Sequence, residues 1–158
     1  MSRRLWLFVS VTLALAGLGG AGWMLSVQRR HDRQWRQDVA VLARAALARR
    51  DLGGANQLVH TGLARSPGDP DLLLARGDIA RAGGDYNSAR TDYLAAAGDD
   101  RTAAEARGRL FDMALGIGAS EDAAHHLEIL EQRLGTEDPQ VKQRRERLKI
   151  APAGSHPR

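Results

Sequence analysis

The chain repeats itself with a period of 34 residues, and that period limits its fold more than any other feature. The clearest unit runs from Leu72 to Ala97. It reads Leu73-x2-Arg76-Gly77-x2-Ala80, then Gly84-Asp85-Tyr86, then Ala89-x3-Tyr93-x2-Ala96. One period earlier stand Val39, Leu42, Ala43, Ala46, Asp51-Leu52, Ala55, Val59, Gly62 and Pro67. One period later stand Leu110, Phe111, Ala114, Gly118, Ala123, Leu127 and Leu130. A unit of this length is one supersecondary element that cannot bury its apolar face alone, so at least three must stack to share a core.

Composition makes the unit helical. Ala and Leu, the strongest helix formers, are abundant, and β-branched residues are scarce after Val59. Breaks fall at Asp51-Leu52-Gly53-Gly54, Ser66 to Pro70, Gly83-Gly84-Asp85, Gly98-Asp99-Asp100, Gly116-Ile117-Gly118 and Gly135 to Pro139. Between and around them fit six helices of about a dozen residues, paired as hairpins. Cysteine is absent, which excludes disulfides, zinc–thiolate sites and cysteine nucleophiles.

The unit resembles a tetratricopeptide repeat (TPR). Gly77, Gly84, Tyr86, Ala89, Tyr93 and Ala96 stand where that pattern asks, while Arg76 replaces its Leu and Arg101 its Pro. The resemblance implies an all-α solenoid of three TPR-like hairpins (about 36–69, 70–103 and 104–137). A capping helix over 138–150 and a disordered tail over 151–158 complete it. Small residues at Ala43, Gly77, Ala55, Ala89 and Ala123 would let paired helices approach, and Val59, Tyr93 and Leu127 would fill the space between hairpins. Phe111, where a small residue belongs, marks the third unit as degenerate. The first helix of each hairpin would line a groove for a protein or peptide partner. By resemblance its lining is Gln37, Arg44, Leu47, Asp71, Leu74, Asp78, Arg81, Glu105, Asp112 and Leu115. Some of these charges would instead pair with one another.

Ahead of the repeats, Leu5 to Val27 carries no ionisable side chain. As a helix it would span about 34 Å, enough for a single-pass transmembrane segment. Trp6 and Trp23 sit near its ends, and Arg3, Arg4, Arg29, Arg30 and Arg33 flank it. Residues 1–30 are therefore expected to form a basic flank and membrane anchor. The basic start and the small residues Gly19 to Gly22 also fit a cleaved signal. Counting Lys and Arg alone keeps the repeats in the cytoplasm; the signal-anchor layout favours a periplasmic domain at a bacterial inner membrane.

Catalysis finds no support. Adjacent His125 and His126 point about 100° apart on a helix and cannot chelate one metal. His31, His60 and His156 are isolated, and Glu121-Asp122 suits the first turn of a helix. The Gly-Gly pairs lie between helices, without the strand and Lys-Ser/Thr of a phosphate loop. The basic residues near the C-terminus lack interleaved aromatics, which argues against nucleic acid. The expectation is a membrane-anchored scaffold or adaptor serving envelope assembly, maturation or secretion. It would have no enzymatic activity, cofactor, metal or small-molecule substrate. The alternative is a structural subunit held through its membrane helix.

Overall fold

The computed structural model describes residue 30 and residues 33–151. Those residues contain no strand. Seven helices follow one another: α1 (33–48), α2 (Leu52–Arg65), α3 (Pro70–Ala82), α4 (Tyr86–Ala96), α5 (Ala103–Gly116), α6 (Ser120–Leu134) and α7 (Pro139–Ile150). The chain divides into two compact units, Met1–Gln37 and Asp38–Arg158. The second holds α1 from residue 38 onward and the six later helices, and the rest of the description concerns it.

The expected fold class needs correction. It included a transmembrane helix over about 5–27, which lies outside the described residues together with Arg3, Arg4 and Arg29. Among the described residues no helix is long and apolar enough to cross a membrane. Helices α2 to α7 run only 11 to 15 residues, short of the roughly 20 apolar residues a span requires. Arg30 and Arg33, expected to flank the membrane, are exposed helical residues. The tail from 152 onward also lies outside the described residues.

Aspartates start most of the helices. Asp51, Asp69, Asp85 and Asp138 each accept hydrogen bonds from backbone N–H groups in the first turn of α2, α3, α4 and α7. Each cap satisfies donors that the helix itself cannot, and contributes about 1 kcal/mol. Pro70 and Pro139 occupy first helical positions, where a missing N–H costs nothing.

The 34-residue period reappears in backbone geometry. Arg50, Gly84 and Gly118, one period apart, all adopt positive φ (63°, 83° and 78°). After each, a backbone N–H reaches back to the preceding helix: Asp51 to Ala46 O at 3.0 Å, Asp85 to Ala80 O at 2.9 Å, Ala119 to Ala114 O at 2.9 Å. This left-handed C-terminal closure turns α1 into α2, α3 into α4 and α5 into α6 by the same route. The first turn is displaced from the sequence expectation. Gly53 and Gly54 lie inside α2, and Arg50 takes the glycine-like conformation.

Packing follows the small-and-large pattern. Ala43, Ala55, Ala89, Ala123 and Tyr93 are fully buried, with Val59 and Leu127 nearly so. At Gly77 the helices touch: a Cβ there would stand 2.5 Å from Tyr93 Cε1. Tyr93 therefore packs directly against bare α3 backbone. Gly62 similarly admits Leu72 of α3 and Val39 of α1. In the third unit Phe111 fills the position that is small elsewhere. It is fully buried with Ala114, Ala123, Leu127, Leu130 and Val141. The large ring extends the core toward α7, which covers it.

Helix α7 is fastened unlike the others. Val141 is its single buried residue, with Leu148 partly buried beside the same cluster. Arginine pairs supply the rest. Arg145 forks onto Glu131 of α6 at 2.7 and 3.0 Å, and Arg144 and Arg147 share Asp112 of α5. Arg147 also stacks over Phe111, 5.7 Å from the ring centre. Such partly exposed pairs add little individually and act as a network.

Candidate functional site

Alternate helices carry the charged residues to one face. α1, α3, α5 and α7 are linked in turn through the ion pairs Arg44–Asp78, Arg109–Asp78 and Arg144–Asp112. A groove of about 790 Å³ opens on this face. From α1 it takes Arg44, Leu47 and Ala48; from α3, Asp78 and Arg81. Helix α5 gives Ala104, Glu105, Arg109 and Asp112, α7 gives Gln140 and Arg144, and Arg101 and Leu134 close its edges.

Asp78 is the hub. It is 7% exposed, and its Oδ1 accepts from both the Tyr93 hydroxyl and Arg109 Nε at 2.8 Å. Burial, followed by the negative charge of Asp78, pushes the Tyr93 hydroxyl well above the usual tyrosine range. That group therefore stays protonated as a donor. Burial opposes the charge on Arg109, but the hydrogen bond and charge of Asp78, with Glu105 behind it, raise its pKa all the same. Arg109 also meets Glu105 at 2.8 Å.

The other arginines are less well served. Arg44 lies 3.8 Å from Asp78 and 3.7 Å from Glu105, too far for a hydrogen bond. Its Nε and Nη2 are buried, and no acceptor among the described residues reaches them. Arg144 Nε is in the same state. Gly108 makes room for this arginine, since a Cβ there would stand 2.5 Å from its Nη2. Arg101 is held at 2.7 Å by Asp71, whose hydrogen bond raises its pKa. Arg81 is exposed and appears in no ion pair among the described residues.

Six of the ten residues expected to line a groove do so: Arg44, Leu47, Asp78, Arg81, Glu105 and Asp112. The other four are placed elsewhere. Leu74 is fully buried; Ala40 and Gly108, one period on either side, are buried as well, so that register faces the seam between hairpins. Leu115 packs into the cluster under α7, because the last helix covers the position that Leu47 and Arg81 leave open. Asp71 sits behind Arg101. Gln37 falls in the other compact unit.

Arg101, Arg109, Arg144, Gln140 and Leu134 escape the sequence reading. Periodicity places Arg109 with Ala75, a buried seam position, but its long side chain leaves the seam to reach Asp78. Helix α7 departs from the register: continuing Arg44, Asp78 and Asp112 leads to Glu146, whereas Arg144 faces the groove.

Two other polar clusters are structural. Arg76 clasps buried Asp92 through two hydrogen bonds, 2.5 and 2.8 Å, joining α3 to α4. His126 is buried, and burial, then Arg107, hold its pKa down to about 4, so it packs as a neutral ring. Among the described residues no three His, Cys, Asp or Glu side chains converge as a metal site would.

No protein-family model, no curated protein and no solved structure matches this chain.

Proposed function

We propose that the chain is a helical-repeat adaptor of the tetratricopeptide type, without chemistry of its own. On this proposal it holds an extended segment of a partner polypeptide in the groove. One observation carries the reading: the groove is built from alternate helices, so a single strip of side chains runs across successive hairpins. An extended peptide matches that form, since its backbone can meet one helix after another while side chains reach between them. The mixture of apolar (Leu47, Ala48, Ala104, Leu134) and charged lining suits a polypeptide. A compact small-molecule site would be more enclosed and apolar.

The test is to fill the groove. Ala48 lines it and is exposed, so Ala48→Trp adds bulk without disturbing the core. Partners are recovered by cross-linking from native cells, with Gln57→Trp on the exposed face of α2 as control. The adaptor function predicts that Ala48→Trp loses a polypeptide partner that the control keeps. Equal recovery from both would refute it.

A further inference from the structure

We infer that the segment held in this groove is acidic, presenting several carboxylate side chains along an extended backbone. The inference rests on the adaptor reading and adds the chemistry of the partner. Two independent observations carry it.

The first is charge. Five arginines line the groove against three carboxylates. Those carboxylates are already engaged: Asp78 by Tyr93 and Arg109, Glu105 by Arg109, and Asp112 by Arg147 from outside the groove as well as by Arg144. Arg101 leans on Asp71 just outside the lining, which leaves four arginines to three carboxylates, and Arg81 enters no ion pair among the described residues. A cleft with a net excess of one sign concentrates ligands of the other.

The second is unmet hydrogen bonding. Arg44 Nε and Nη2 and Arg144 Nε are buried donors with no acceptor among the described residues. A buried donor without an acceptor is costly, and a guanidinium more so than a neutral group. Arg44 and Arg144 lie on α1 and α7, on opposite flanks of α3 and α5. Carboxylates entering between them would let each guanidinium turn toward an acceptor of opposite charge and bind it through paired N–H groups. A ligand rich in lysine or arginine would leave these donors unmet and add repulsion. A wholly apolar one would bury them further. Several acidic side chains, spaced along the chain, meet the demand at both ends.

The experiment measures fluorescence anisotropy of a dye-labelled peptide of alternating Glu and Gly against the full chain in non-ionic detergent. A peptide of alternating Gln and Gly, of equal length, is the neutral comparison. The Glu peptide is expected to bind at least about tenfold more tightly, with an advantage that shrinks as salt rises. Arg81→Glu should weaken it by about tenfold. Arg44→Gln should weaken it while preserving the charges of the hub. Arg90→Glu on exposed α4 makes the same change in net charge away from the groove and should have little effect. Equal binding of the two peptides, or equal losses from Arg81→Glu and Arg90→Glu, would overturn the inference. So would binding of phosphatidylglycerol vesicles that is lost in Arg81→Glu while the Glu peptide fails to bind, since the groove would then serve a lipid surface. If Ala48→Trp loses its cellular partner but the Glu peptide shows no preference, the acidic class alone falls. If Ala48→Trp keeps every partner, the adaptor reading falls with it.

Discussion

Gly77→Ala is the substitution on which the packing account is most exposed. The added Cβ would lie 2.5 Å from Tyr93 Cε1 and 2.8 Å from Cδ1, against a comfortable carbon–carbon separation of about 3.5–4.0 Å. The ring must therefore retreat by roughly 1 Å. It has nowhere easy to go: Tyr93 is fully buried, its hydroxyl is bonded to Asp78 at 2.8 Å, and Asp78 is held by Arg109. Overpacking of this kind costs about 1–3 kcal/mol. Alanine in a helix interior recovers about 1 kcal/mol relative to glycine. With the ring pinned, the clash should fall toward the upper end, for a net loss of about 1–2 kcal/mol.

The equivalent pair in the first hairpin is Ala43 with Val59, which suggests the companion experiment. In a Tyr93→Val background the ring is gone, so Gly77→Ala should turn stabilising by about 0.5–1 kcal/mol, the helix contribution alone. The two substitutions are then coupled by roughly 1.5–3 kcal/mol, well beyond the scatter of independent sites. Urea unfolding followed by far-UV circular dichroism, on all four members of the cycle, reads the coupling directly. An effect of the same sign and size in both backgrounds would refute the close-approach argument.

Two further outcomes are expected. Arg50 adopts φ 63° where the other two hairpins use glycine, so Arg50→Gly should stabilise the chain by about 1 kcal/mol. An unchanged or lowered urea midpoint would mean the strain is not relieved there. His126 titrates near 4 when folded and near 6.5 when unfolded. The unfolded chain thus binds the extra proton between those values, and stability should fall as pH drops from about 6.5 to 4. On the order of 2 kcal/mol of that fall should disappear in His126→Leu, measured as a flatter dependence of the urea midpoint on pH.

Much of the helical plan is legible from local chemistry. Aspartate before a helical run, proline at its first position and glycine after its end each act within a turn of their own residue. They place α3, α4 and α7 directly. The exception is the first hairpin. There the Gly53-Gly54 pair draws attention, yet Arg50 makes the turn, because the neighbouring helices hold it in a conformation its own side chain disfavours. Small residues paired with large ones one half-period away also survive into three dimensions, since steric volume is a property of the residue itself.

The groove is a different matter. Arg44, Asp78 and Asp112 recur at one register and are legible as one face, but what those charges do depends on partners from other helices. Asp78 becomes a hub only when Tyr93 arrives from α4 and Arg109 from the next hairpin, at sequence separations no local rule connects. Leu74 and Leu115 show the same limit in reverse: both occupy positions read as groove-facing, but packing buries Leu74 fully and Leu115 in part. Sequence alone therefore determined helices, turns and the period that joins them, because those arise from forces acting within a few residues. Tertiary structure alone decided which arginines are satisfied and which are left wanting, because hydrogen bonding between helices depends on ångström distances set by the packing of the whole stack.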